Sequence, residues 1–236
     1  MSANSALKRI LKKDIKEIEH QKLEDLGIYV KFDEENMLNA KAMITGPKDS
    51  LYENGFLFFN ITFPKNYPYS PPDVSYISRN RVRIHPNLYV GRHSSGYGKV
   101  CLSILGTWSG PKWTSIMDIT TVLLTIQSLL DNNPLHHEPG QEKNVSPTNT
   151  IYNEIIKYES YNTLLLRNYF DTNEIFVNFK EEMDNELNKV GRELIVEKVK
   201  EYCNFYKDSE ATVPIYRIKT KLCYTGLSKN IERINC

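Results

Sequence analysis

The chain has 236 residues, 40% of them hydrophobic and 25% charged, with a formal net charge of +1. A chain this long can bury a real core, and so ordinary a composition excludes a disordered or fibrous protein. The near balance of charge leaves no overall electrostatic footprint for nucleic acid, and no apolar run approaches a membrane span.

The start, Met1-Ser2-Ala3-Asn4, lacks a signal-peptide core, so a soluble intracellular protein, cytoplasmic and/or nuclear, is expected. The cysteines, Cys101, Cys203, Cys223 and Cys236, show no CxxC spacing. Neither a zinc knuckle nor a disulfide framework is indicated, and free thiols suit a reducing compartment.

The first expected element is a helix opening after Asn4-Ser5 as caps, with Leu7, Ile10, Leu11, Ile15 and Ile18 at helical spacing. Its other face carries Lys8, Arg9, Lys12, Lys13 and Lys16, a pattern that serves a solvated surface or a partner. Residues 26 to 78 then read as a strand meander. Short β segments at Ile28 to Phe32, Asn39 to Ile44, Phe56 to Thr62 and Val74 to Tyr76 are divided by turn material such as Gly46-Pro47 and Asn54-Gly55. Pro64, Pro68, Pro71 and Pro72 forbid regular pairing in the loop before the last of these. From Arg79 to Gly98 core periodicity is lost, and the segment around Val90 to Tyr97, with Gly91, Ser94, Ser95 and Gly96, reads as a flap.

Cys101 lies in the run Lys99-Val100-Cys101-Leu102-Ser103-Ile104-Leu105, fourteen residues after Asn87 of His85-Pro86-Asn87 and ahead of Trp108 and Trp113. A cysteine between Val and Leu is the pattern of a small core residue as well as of a nucleophile. The Asn is an amide donor suited to an oxyanion, or a turn former after Pro. Residues 118 to 131 predict a strongly apolar helix with Asp118 at its start, Val122, Leu123 and Ile126 facing the sheet. Further helices are expected at about 149 to 169, 173 to 190 and 192 to 207. His136-His137-Glu138, with His93 elsewhere, has metal-ligand chemistry but sits in a Pro-bounded loop without an i, i+4 pair, so no metal is expected. No glycine-rich phosphate loop occurs, and no cofactor is expected.

The order of Gly46-Pro47, the Phe56–Pro64 strand, Tyr67-Pro68-Tyr69-Ser70-Pro71-Pro72, His85-Pro86-Asn87, Cys101 and the apolar helix ending near Asn133-Pro134 resembles the ubiquitin-conjugating enzymes over roughly residues 5 to 165. The run Leu102 to Trp108, then Gly110-Pro111-Lys112-Trp113, His137-Glu138-Pro139-Gly140 and Tyr152-Asn153-Glu154 are similar to the larger class of that family that includes ubiquitin-conjugating enzyme Z. Leu51 and Ser115 stand where the family usually has proline, which alters a ligase-contact loop.

The resemblance implies an α+β fold of the UBC type: an N-terminal helix, a four-stranded antiparallel meander, a central helix and a C-terminal helical extension. It divides the chain into a core at 1–169 and an extension at 170–236. It implies Cys101 as the thioester nucleophile, Asn87 as the oxyanion donor, Glu138 as the acidic gate with Asp131 as its rival, and His85 as a structural brace. Lys8, Arg9, Lys12, Pro68, Tyr69, Ser115 and Ile116 match partner-binding positions for the activating enzyme and ligases. Thr121, Leu124, Thr125 and Ser128 match the face that receives the carried modifier. The implied partners are ubiquitin or a ubiquitin-like modifier, the activating enzyme, ligases and protein substrates, with no nucleic acid and no membrane. Inactive members of the same fold are ubiquitin-binding scaffolds, which is the alternative function. Cys203, Cys223 and Cys236 are not expected to carry modifier.

Overall fold

The N-terminal stretch of the computed structural model is one helical rod made of α1 (Ala3–Arg9), a π-helical turn (Ile10–Asp14) and α2 (Ile15–His20). Residues 3–91 and 97–235 are described. Asn4 and Ser5 lie inside α1 rather than capping it. The π turn places one extra residue in the helical repeat, which slides the apolar stripe. Ile10 and Asp14 are therefore buried, whereas Leu11, expected on the inner face, is 50% exposed.

The sheet follows as β1 (Ile28–Phe32), β2 (Asn39–Thr45), β3 (Phe56–Thr62), β4 (Asp73–Ile77) and β5 (Tyr97–Lys99), in the spatial order β1-β2-β3-β4-β5. It is therefore a five-stranded meander rather than the four-stranded one expected. The added strand is short, pairs antiparallel with β4 through Ser75↔Lys99, Tyr76↔Gly98 and Ile77↔Tyr97, and carries no hydrophobic run that would announce it. In β3, Phe56, Leu57, Phe58 and Phe59 are all buried, so both faces of this strand are covered. Residues 92–96 of the anticipated flap, His93 among them, lie outside the described residues.

α3 (Ile119–Ser128) buries Ile119, Val122, Leu123 and Ile126, as its periodicity predicts. Asp118 caps it, accepting from the Thr121 N–H at 3.0 Å. The Ile119 N–H donates instead to the buried Asp14 at 3.2 Å, and Tyr67 Oη donates to the same carboxylate. Burial pushes the Asp14 carboxyl above its usual range, against the lowering effect of these two bonds.

The later elements are α4 (Pro147–Glu159), running on through a π-helical stretch (Ser160–Arg167), then α5 (Glu174–Val177), α6 (Lys180–Val190), α7 (Arg192–Asn204), β6 (Ser209–Val213), β7 (Ile218–Leu222) and α8 (Tyr224–Asn230). The helix expected over 173–190 is split at Phe179, with Asn173 capping the first piece. The extension is not wholly helical, because β6 and β7 form an antiparallel hairpin.

Two compact units result. One comprises residues 1–44, 57–78 and 86–129; the other comprises 45–56, 79–85 and 130–236. Within the second, Tyr158, Tyr161, Tyr202, Tyr206 and Tyr224 form an aromatic cluster with ring centroids 5.0 to 5.7 Å apart. Tyr224 Oη donates to Glu154 at 2.6 Å, Lys198 pairs with Glu53 at 2.8 Å, and Asn168 Nδ2 donates to the Phe56 carbonyl at 2.8 Å.

Candidate active site

Cys101 is placed by a β-hairpin whose arms are residues 87–89 and 99–101. Leu88 bridges Val100 antiparallel, and the Tyr89 N–H donates to the Lys99 carbonyl at 3.0 Å. One step further the Cys101 N–H donates to the Asn87 carbonyl at 2.8 Å, so the antiparallel register sets Asn87 directly across from Cys101. The Asn87 side chain completes the pair, with Nδ2 donating to the Cys101 carbonyl at 2.6 Å. Gly98 is required in the returning arm: a Cβ there would sit 1.7 Å from the Tyr89 carbonyl oxygen.

After the cysteine the chain turns through a 3₁₀ segment (Ser103–Leu105) and Gly106 at φ +69°. Thr107 locks this turn. Its hydroxyl accepts from the Leu102 N–H at 2.9 Å and donates to the Val100 carbonyl at 2.8 Å. Cys101 is 1% and Asn87 6% exposed, so the thiol is covered in this conformation.

The other two residues of the expected catalytic set lie in the second unit. His85 is fully buried, its ring 5.1 Å from that of His137 and 6.3 Å from that of Tyr52, whose hydroxyl donates to the Ile84 carbonyl at 2.6 Å. Glu138 is half-buried, and its Oε2 accepts from Tyr216 Oη at 2.6 Å. Tyr216 is itself held under the Arg83 guanidinium, 4.5 Å from the ring centroid. The rival Asp131 is engaged by His137 Nε2 at 2.9 Å, while His136 Nε2 meets the Asn144 carbonyl at 3.0 Å. These three neighbours thus have three separate partners. Among the described residues no group of His, Cys, Asp or Glu side chains could hold a metal ion.

The basic face of the first helix is divided in use. Lys8 and Lys12 are exposed, whereas Arg9 turns inward, donating to the Met117 carbonyl at 3.0 Å and lying 3.8 Å from Asp14. Lys13 donates to the Ile116 carbonyl at 2.8 Å. On the neighbouring loops Tyr69 and Ile116 are 63% and 78% exposed, Ser115 is exposed and Pro68 half-buried. Trp113 ties these loops together, its indole N–H donating to the Pro68 carbonyl at 2.6 Å.

On α3, the Thr121 hydroxyl donates to Asp118, that of Thr125 to the Thr121 carbonyl and that of Ser128 to the Thr125 carbonyl. These hydroxyls are satisfied within the helix. With half-buried Leu124, the face therefore offers chiefly apolar contact.

Of the other cysteines, Cys203 is buried and its thiol is pushed up to about 11 by that burial, which suppresses the thiolate; Cys223 is exposed beside Asp208, and Cys236 lies outside the described residues. Sequence reasoning missed Thr107, Asp14 and Tyr216. The first two are common residue types without a spacing signal, and Tyr216 stands 78 positions from the carboxylate it binds.

The family profile described as ubiquitin-conjugating enzyme matches residues 10–160. Among curated proteins, ubiquitin-conjugating enzyme E2 Z of Danio rerio is 45% identical over 137 residues, 57% of this chain and 40% of that one. The Homo sapiens enzyme of the same name is 44% identical over 137 residues, 57% of this chain and 37% of that one. The chain thus spans less than half the length of these relatives. Among solved structures, the E2 domain of a Toxoplasma gondii ubiquitin conjugating enzyme aligns with 65% of this chain and 98% of that chain at 24% identity, with a TM-score of 0.49. No described helix is long and apolar enough to cross a membrane. The profile match spans the N-terminal rod from Ile10 onward, the sheet, the Asn87–Cys101 hairpin and α3, and on it the chain belongs to the ubiquitin-conjugating enzyme family.

Proposed function

We propose that this protein accepts ubiquitin or a ubiquitin-like modifier from the activating enzyme as a thioester on Cys101 and passes it to a substrate lysine. The observation that carries the reading is the cross-strand pair, in which the Asn87 amide stands 2.6 Å from the backbone carbonyl of Cys101. In the first step the Cys101 thiolate attacks the modifier's C-terminal carbonyl, and the activating enzyme's thiolate leaves. In the second, a neutral lysine amine attacks the Cys101 thioester. An oxyanion develops, the Cys101 thiolate is expelled, an isopeptide bond forms and the amine proton passes to a base.

Asn87 is the donor for that oxyanion. Its amide carries two N–H groups, so bracing the Cys101 carbonyl and stabilising the oxyanion draw on the same short side chain. One such donor contributes about 3 kcal/mol of barrier lowering. Glu138 is the acidic gate by resemblance, its carboxylate oriented by Tyr216; His85 is a packing residue, consistent with its full burial. Lys8, Lys12, Tyr69, Ser115 and Ile116 serve as the surface for the activating enzyme and ligases, and Thr121, Leu124, Thr125 and Ser128 as the surface for the carried modifier. The covered thiol favours one competing reading, a ubiquitin-binding scaffold of the same fold.

Incubation with activating enzyme, ATP and ubiquitin separates the two. A carrier gives an adduct cleaved by thiol reductant, and Cys101→Ser gives either a reductant-resistant ester or no adduct. Ubiquitin binding by folded protein without an adduct would establish the scaffold, and a reductant-sensitive adduct persisting in Cys101→Ser would place the nucleophile elsewhere.

A further inference from the structure

The second unit contains a cleft of about 600 Å³ bordered by the segment after β4, the π-helical stretch after α4, and β7. Five cationic side chains from these separate elements line it: Arg79, Arg81, Arg167, Lys219 and Lys221. Arg79 has its own counter-charge, its Nε 2.9 Å from Asp171, and Arg167 Nη1 donates to the Arg79 carbonyl at 3.1 Å. Arg81 is exposed. The side chains of Lys219 and Lys221 are 75% and 83% exposed and lie 3.8 and 3.9 Å from Glu210, itself 54% exposed. Such loose, hydrated contacts neutralise little.

The remaining acid is Glu159 at the floor of the cleft, buried to 6% exposure and bonded by the Thr163 hydroxyl. Burial pushes its carboxyl above the usual range, against the lowering effect of hydrogen bonds from Thr163 and Asn80 and of the Arg167 and Arg81 charges. Cations gathered from distant parts of the sequence repel one another, and an anionic ligand relieves that repulsion.

The spacing selects the kind of anion. Lys219 and Lys221 alternate along β7 on one face, about 7 Å apart, which matches alternate side chains of an extended peptide. Among the described residues the only aromatic one lining the cleft, Tyr158, is 5% exposed, so these residues offer no open ring on which a nucleobase could stack. We propose that this cleft docks an acidic peptide segment of a protein partner, with carboxylates two residues apart pairing with Lys219 and Lys221 and a further one reaching Arg81 and Arg167. This gives the C-terminal region a recruiting role that does not depend on the chemistry at Cys101.

The test is fluorescence anisotropy of the full chain with a labelled peptide of alternating Glu and Ser, alongside its Gln-for-Glu counterpart. Binding of the acidic peptide that weakens with added salt, at least tenfold loss in Lys219→Glu/Lys221→Glu, and no loss in the distant control Lys48→Glu are expected. If the charge reversal lowers the melting temperature, Lys219→Gln/Lys221→Gln takes its place, with a smaller loss expected. Absence of binding, equal affinity for the Gln peptide, affinity untouched by either double substitution, or binding of single-stranded RNA in preference to the peptide would each overturn the proposal.

Discussion

Two hydrogen bonds hold Asn87 and Cys101 together, the Cys101 N–H donating to the Asn87 carbonyl and the Asn87 side-chain amide donating to the Cys101 carbonyl. Asn87→Ala therefore does two separable things. It removes a buried hydrogen bond from the Cys101 carbonyl, costing about 1 kcal/mol of stability, and it removes the proposed oxyanion donor. Loading from the activating enzyme is expected to persist while discharge to free lysine slows roughly a hundredfold. Single-turnover discharge of pre-loaded protein measures this, and an unchanged rate would reduce Asn87 to a brace. Cys101 and Asn87 stand out in the sequence through the order of motifs around them, whereas the cross-strand pairing between them has no sequence signal. Helical spacing puts Arg9 on the basic, partner-binding face of the first helix and does not show that its guanidinium reaches back to the Met117 carbonyl.

At the level of elements, period and turn chemistry served well for β1 and β3, whose bounds match the expected ones, and for α3 with its Asp118 cap. They failed where geometry departs from the ideal repeat, as in the π turn at Ile10–Asp14, or where strands are short, as in β5. The β6–β7 hairpin has period-two alternation in Ile218-Lys219-Thr220-Lys221-Leu222, a signal masked by the helical patterns before it.

Helix α4 carries a testable electrostatic cost. Lys157 is pushed down to about 8 by burial, its Nζ donating to the Ser50 carbonyl at 3.3 Å and lying 4.9 Å from the Tyr161 ring centroid. Between pH 8 and 10.5 the unfolded chain keeps a proton on this lysine that the folded chain has lost, so its contribution to stability rises with pH across that window. Buried tyrosines such as Tyr161, pushed up by desolvation, act with the opposite sign above their ordinary value of 10. The buried Cys203 thiol, also pushed up, has that same opposite sign above its ordinary value of about 9, so the lysine is isolated by the difference between the wild type and Lys157→Met in denaturant melts between about pH 7.5 and 9.5. Lys157→Met is expected to be more stable near pH 7 by on the order of 1–2 kcal/mol and to flatten the rise. An unaltered pH dependence would show that water reaches the ammonium.

For the molecule as a whole, the order of the chain does not reveal how its pieces combine. Residues 45–56 and 79–85 fall in the same compact unit as 130–236, although the segments beside them in sequence belong to the other. No periodicity announces this, because it is made by single long-range contacts such as Lys198 with Glu53 and Asn168 with the Phe56 carbonyl. Truncation after Thr172 would strip Tyr202 and Tyr224 from Tyr158 and Tyr161 and remove the partner of Glu53. Each large side chain uncovered costs about 1.5–3 kcal/mol, so a large fall in melting temperature and binding of a hydrophobic dye are expected. A truncated protein melting like the full chain would show that the tyrosine cluster contributes little.

The pairing that carries Asn87 and Cys101 also makes the identity of the amide partner a matter of counting. In an antiparallel ribbon every cross-strand neighbour is fixed once one pair is set, and here Leu88 against Val100 and Tyr89 against Lys99 set it. The close approach of Gly98 to the Tyr89 carbonyl, where a Cβ would sit 1.7 Å from the oxygen, guards that register from the other arm. A slip of one residue would bring Pro86 or Leu88 across from Cys101, and neither has a side-chain amide to offer, so an error of alignment would silence the nucleophile without touching a single catalytic side chain.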